Sequence, residues 1–172
     1  NVEKALYERN ERYRAILNAA VDAIVTIDRR GLIEDVNPAV EKMFGYSHDQ
    51  IIGESVNILI PLPDKEKHDQ NLKNYQQSGR AQIIGLGREV IARHKDGTLF
   101  PVEILVSELD HLGLFTGIIR DITVRKAAEL ALRNQYHFND AIITTARTII
   151  LVLDQKGRIV SFNPYFETIT GW

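Results

Sequence analysis

A chain of 172 residues, 44% hydrophobic and 26% charged, is long enough for one complete domain and part of another, and its balance is that of a globular protein with a buried core. A net charge of -2, with basic residues scattered among acids, provides no field for nucleic acid. The absence of cysteine excludes a disulfide framework and thiolate metal sites.

The first 20 residues read as a helix without internal Gly or Pro, in which Val2, Leu6, Tyr13, Ile16 and Ala20 follow coiled-coil spacing around a charged Arg9. Two readings stand: a parallel coiled coil, or an amphipathic helix lying on the sheet that follows. Ala23 to Asp28 alternates as a strand, turned by Arg29-Arg30-Gly31 into a second strand, Leu32 to Val36. Asn37 then stands at an N-cap with Pro38 at the first helical position, Val40, Met43 and Phe44 form an apolar side, and Gly45 ends the turn. Ser47 to Gly53 reads as a second capped helical turn.

After the turn at Ile60-Pro61-Leu62-Pro63, a polar helix is predicted from Asp64 to Ser78, ended by Gly79. On it His68, Leu72 and Tyr75 recur at i, i+4 and i+7, so one face presents a single imidazole beside two hydrophobic side chains. Two strands follow, Ile83 to Ala92 and Thr98 to Glu108, joined by a hairpin whose Asp96-Gly97 pair is a strong turn signal. Gly85 and Gly87 interrupt the first of them and point to a bulge, a close approach of a ligand, or packing against the helix above. A further strand, Leu114 to Ile122, completes a meander, and Thr123 to Arg133 is rich in helix formers. The class is α+β: an antiparallel sheet with helices on one face.

The last third repeats the first. Asp28, Gly31, Ile33, Asn37, Pro38, Glu41 and Gly45 recur as Asp154, Gly157, Ile159, Asn163, Pro164, Glu167 and Gly171. The resulting division is an N-terminal signalling helix over 1–20, a domain over 21–123, a linker helix over 124–137, and the beginning of a second, truncated domain of the same kind over 138–172.

The segments Asp28-Arg29-Arg30-Gly31 into Asn37-Pro38, Phe44-Gly45-Tyr46, Lys95-Asp96-Gly97-Thr98, Phe100-Pro101-Val102-Glu103 and Gly117 through Thr123 together resemble the PAS sensor family. The resemblance implies the PAS fold, a five-stranded antiparallel sheet with short helices on one face, flanked by signalling helices. It further implies a module of a bacterial-type multidomain signalling protein, placed upstream of a histidine kinase or a cyclic-di-GMP enzyme as the C-terminal output domain of the same chain, and often a homodimer. Within the family, Pro61 to Val106 is most similar to the haem-binding domain of FixL-type oxygen sensors. That similarity places His68 at the proximal ligand of haem b and Arg88 at the arginine that moves between a haem propionate and bound oxygen. Ile83, Ile104 and Val106 fall at the aliphatic distal wall, and Tyr75 also matches, with Leu72 on the same face. Asn74 stands where a second propionate-facing arginine is found in that group. Oxygen, or another gas, is the ligand this implies.

Other readings of the same residues remain open. His68 also fits a solvent-facing position among Asp, Lys, Glu and Gln, and Arg88 fits a helix cap or a surface pair with Glu89 or Asp96. His48, His94, His111 and His137 share no metal-ligand spacing and read as surface residues. No Gly-x-Ser-x-Gly elbow, P-loop or kinase signature is present, so no catalytic residues are assigned and the fragment reads as a non-enzyme. Within the family, zero cysteines removes LOV photochemistry and the coumaric-acid chromophore, leaving a cofactor-free module, non-covalent FAD or a small metabolite as the alternatives to haem. The opening Asn1-Val2-Glu3-Lys4 is neither a secretory leader nor a transit peptide, and no apolar run approaches the roughly 20 residues that span a bilayer. A cytoplasmic location is expected, including that of the cytoplasmic part of a membrane-anchored sensor.

Overall fold

The computed structural model describes residues 2–78, 85, 87–109 and 111–171. They fall into two units, Asn1–Thr123 and Val124–Trp172. The first unit begins with helix α1 (Val2–Ala19), followed by β1 (Ala23–Asp28), β2 (Ile33–Val36), α2 (Pro38–Phe44), α3 (His48–Ile51), a 3-10 turn (Val56–Leu59), α4 (Asp64–Ser78), β3 (Arg88–Arg93), β4 (Leu99–Leu109) and β5 (Leu114–Asp121). The five strands form one antiparallel sheet in the order β2-β1-β5-β4-β3. The strand expected from Ile83 is seen from Arg88 onward, while 79–84 and 86 lie outside the described residues.

Alternation along the strands selects one face for the core. Ala23 and Val25 of β1, Val102 of β4, and Phe115 and Ile119 of β5 are buried, and the register sets Ala23 opposite Ile119, Ile27 opposite Phe115 and Ile104 opposite Ile119. Ala39, Val40 and Phe44 of α2, Ile51 of α3 and Leu59 of the 3-10 turn complete the core. Fully burying a residue such as Phe44 stabilises by roughly 1.5–3 kcal/mol.

The Asp-Gly hairpin forms as its sequence requires. Gly97 takes a φ of 91°, and Asp96 Oδ1 accepts the Thr98 amide at 2.8 Å. Gly85 also requires its glycine for a φ of 83°. Its amide donates to the Val106 carbonyl at 3.1 Å, and a Cβ at Gly85 or Gly87 would meet open space, so packing against the helix above is not the reason for either.

Asn37 precedes α2 as expected, yet its side chain makes no cap bond to that helix. Its Oδ1 accepts the Ile24 amide at 2.8 Å, and its Nδ2 donates to the carbonyls of Leu17 at 3.1 Å and Asp22 at 3.0 Å. A buried carboxamide satisfied by three backbone groups of the α1–β1 connection outcompetes a solvent-facing cap. Beside it Arg120 of β5 forms a forked pair with Asp22, at 2.8 Å for its shortest bond. Helix α1 buries none of its own residues, which removes the reading in which it lies on the sheet.

The second unit holds nearly all of α5 (Thr123–Thr145), then β6 (Leu151–Leu153), β7 (Ile159–Phe162) and α6 (Pro164–Thr170), with β6 and β7 paired antiparallel. Helix α5 continues past position 137 to Thr145. Among the described residues no helix is long and apolar enough to cross a membrane.

Candidate ligand cavity

A cavity of about 820 Å³ lies between the inner face of the sheet and α4, within the roughly 300–1,000 Å³ range of small-molecule and cofactor sites. Its floor follows from strand register. Val25 and Val106 flank Gly117, Phe115 lies opposite Ile27, and Ile104 pairs with both Ile119 and Arg88. Gly117 contributes no side chain at the middle of this floor, and a Cβ there would make only ordinary contacts, the nearest being Ile104 Cδ1 at 3.8 Å.

Helix α4 forms the opposite wall. Pro63 stops the preceding turn, Asp64 opens the helix, and the 15 residues to Ser78 contain neither Gly nor Pro, so the four-residue and seven-residue spacings hold. His68, Leu72 and Tyr75 all line the cavity, as their shared face predicts. Leu72 reaches over the β1–β2 turn, with Cδ1 2.8 Å from where a Cβ on Gly31 would stand. Tyr75 packs edge-on against Phe115, ring centroids 4.9 Å apart, and its hydroxyl donates to Glu108 of β4. The helix is thereby tied to the β1–β2 turn at Leu72 and to the sheet at Tyr75.

His68 is partly buried rather than solvent-facing. Burial pushes its pKa below the usual histidine value, the carboxylate of Asp69 works in the other direction, and the positive charge of Arg88 adds to the lowering. The imidazole is therefore neutral at neutral pH, the form that ligates a metal. Its Nδ1 lies 3.1 Å from Oδ1 of Asn57, a buried residue of the 3-10 turn whose Nδ2 donates to Asp69 Oδ1 at 2.5 Å.

Ile104 and Val106 line the cavity as expected, whereas Ile83 lies outside the described residues. Arg88 also lines it, at the start of β3 and exposed. Asn74 and Lys67 lie at the same opening. Sequence reasoning missed Asn57. Its signal was available as one carboxamide inside the apolar run Val56 to Ile60, a residue type that is buried only with partners. It also missed Phe115, whose position depends on pairing with Ile27 of β1, 88 residues earlier (115 minus 27). Among the described residues no group of three or more His, Cys, Asp or Glu is placed to hold a metal ion.

Residues 11–122 match the family described as PAS fold, and residues 138–172 match a second family described as PAS domain. The chain belongs to the PAS family. Sensor protein FixL of Bradyrhizobium diazoefficiens is 38% identical over 134 residues, covering 77% of this chain and 26% of that protein. The cell-division control histidine kinase PdhS of Brucella anthropi is 30% identical over 132 residues, 77% of this chain and 12% of that kinase. The PAS chain thus spans about a quarter or less of these relatives. Among solved structures, the PAS domain of an HTR-like protein from Haloarcula marismortui superposes with a TM-score of 0.56 at 27% identity, covering 70% of this chain and 97% of that one. A PAS domain from Colwellia psychrerythraea gives 0.53 at 30% identity, covering 66% and 96%. The five-stranded sheet and its helices are thus those of PAS domains.

Proposed function

We propose that this chain is the sensory part of a bacterial-type signalling protein, such as a histidine kinase or a cyclic-di-GMP enzyme, and that its first unit binds haem b through His68 to detect oxygen or another gas or redox signal. The observation that carries this reading is the neutral imidazole of His68 on the wall of a mostly apolar cavity of about 820 Å³. The residues present fit the group. Val25, Ile104, Val106, Phe115 and Ile119 offer an apolar floor for a macrocycle, and Lys67 and Arg88 offer cations at the rim for its carboxylates. Asn74 stands where the resembled pattern has a second arginine; among the described lining residues Lys67 and Arg88 carry the positive charge.

When bound, haem supplies an iron whose open face takes a diatomic gas. His68 would hold the iron, the apolar floor would exclude water, and Arg88 would offer a charged donor beside the cavity. β3, where Arg88 stands, pairs with β4, and β4 pairs with β5, which leads into α5. The module is expected to face the cytoplasm and to act with an output domain in the same chain.

A homodimer through α1 completes the proposal, since Val2, Leu6, Tyr13 and Ile16 are all more than 60% exposed along this helix. Sizing chromatography of a chain beginning at Asp22 is expected to give a monomer where the full chain gives a dimer; an unchanged elution position would contradict the role of α1.

The sensory reading is tested by absorbance. Protein supplied with haem is expected to show a Soret band that His68→Ala abolishes while far-UV circular dichroism is unchanged. Arg88→Ala is expected to keep the band and release oxygen faster. A missing band in the wild type would leave a cofactor-free relay module, or one that takes FAD, as the function.

A further inference from the structure

We infer that Asn57 is the positioning residue for His68: its carboxamide fixes the imidazole as the Nδ1–H tautomer and leaves the Nε2 lone pair as the ligating atom. The ligating role rests on the haem reading given above, but the tautomer does not. Asp69 decides the matter. An ionised carboxylate only accepts hydrogen bonds, so the end of the Asn57 side chain that faces Asp69 Oδ1, at 2.5 Å, must be the amide nitrogen. The other end, facing His68 Nδ1 at 3.1 Å, is then the carbonyl oxygen, which only accepts. The proton between them must belong to Nδ1. In a neutral imidazole that leaves Nε2 unprotonated.

The arrangement is held from both sides. Asn57 is 8% exposed and sits in the 3-10 turn, where its amide donates to Ser55 Oγ at 3.3 Å and its carbonyl accepts the Ile60 amide at 3.3 Å. His68 and Asp69 are consecutive on α4, so a single carboxamide reads both and fixes the rotation of the helix about its axis as well as the ring. Among the described residues the His68 ring makes no other hydrogen bond. Partners of this kind, standing behind a ligating histidine, typically change metal affinity by about 10–100-fold when removed.

The test is long-range nitrogen–proton NMR of the histidine rings in the full chain without haem at neutral pH, followed by haem titration of the same samples. Wild-type His68 is expected as Nδ1–H. Asn57→Leu should convert it mainly to Nε2–H and weaken haem binding by about 10–100-fold. Asp69→Asn, which preserves shape and lets the Asn57 amide turn either way, should leave His68 divided between tautomers; this variant decides the question if Asn57→Leu does not fold. Wild-type His68 as Nε2–H, or the wild-type tautomer retained in both folded variants, overturns the inference even if haem binds. The expected tautomers in a wild type that takes up no haem would instead overturn the haem reading, and with it the ligating role of Nε2.

Discussion

The two units carry the same junction and differ in what covers it. Asn163 accepts the Ile150 amide and donates to the carbonyls of Ile143 and Thr148, repeating at an interval of 126 (163 minus 37) the bonds of Asn37 to Ile24, Leu17 and Asp22, and it adds a bond to the Ala146 carbonyl. Asp154 likewise accepts the Lys156 and Arg158 amides as Asp28 accepts those of Arg30 and Leu32. Yet Ile33 is 1% exposed and its counterpart Ile159 is 52% exposed. Short motifs therefore set local hydrogen bonding and bury Asn163 without help, whereas an apolar core, and any cavity, requires the long-range pairing of β3, β4 and β5 and the helix α4 above them.

The largest test of that difference is a matched pair of truncations. Ile33→Ala should destabilise the chain by about 2–5 kcal/mol, and Ile159→Ala by less than about 0.5 kcal/mol, because only the first leaves a cavity in a packed interior. Denaturant titration followed by far-UV circular dichroism measures both, and comparable losses would show that the second unit has a core of its own. Next, Asn37→Ala leaves buried backbone groups without a partner and should cost about 1–3 kcal/mol in the first unit. Asn163→Ala should leave the main unfolding transition in place.

Smaller effects come from the β3–β4 hairpin. Gly97→Val forces a β-branched residue into the left-handed region at φ 91° and should cost about 1–2 kcal/mol, read as a lower denaturation midpoint. Asp96 is held at a pKa of about 2 by the hydrogen bonds of Thr98 and then by His94. Its carboxylate form stabilises the fold above the ordinary carboxylate range, and that contribution disappears as pH falls through about 2. Asp96→Asn should therefore be the less stable protein at neutral pH, with the gap to wild type closing in acid; a gap independent of pH would place the effect elsewhere.

Much of the first unit was legible in the sequence because its signals are local. Pro63 before Asp64 marked the start of α4, Asp96-Gly97 marked the hairpin, and the four-residue step from His68 to Leu72 placed both on the cavity wall. The cavity floor was less legible, since Val25, Gly117 and Val106 become neighbours only through strand register. Asn37 was read as a helix cap because capping is the local use of asparagine, while its actual partners are carbonyls up to 20 residues away. Asn57 was missed for the same reason: its partners, 11 and 12 residues ahead, meet it only once α4 has docked.

The comparison of the two units makes the central claim countable. If the cavity under α4 is the ligand site and the exposed strand pair of the second unit is not, titration of the full chain with haem should saturate at one haem per chain, and His68→Ala should bring that number to zero. Saturation at two, or an unchanged stoichiometry in His68→Ala, would contradict the account.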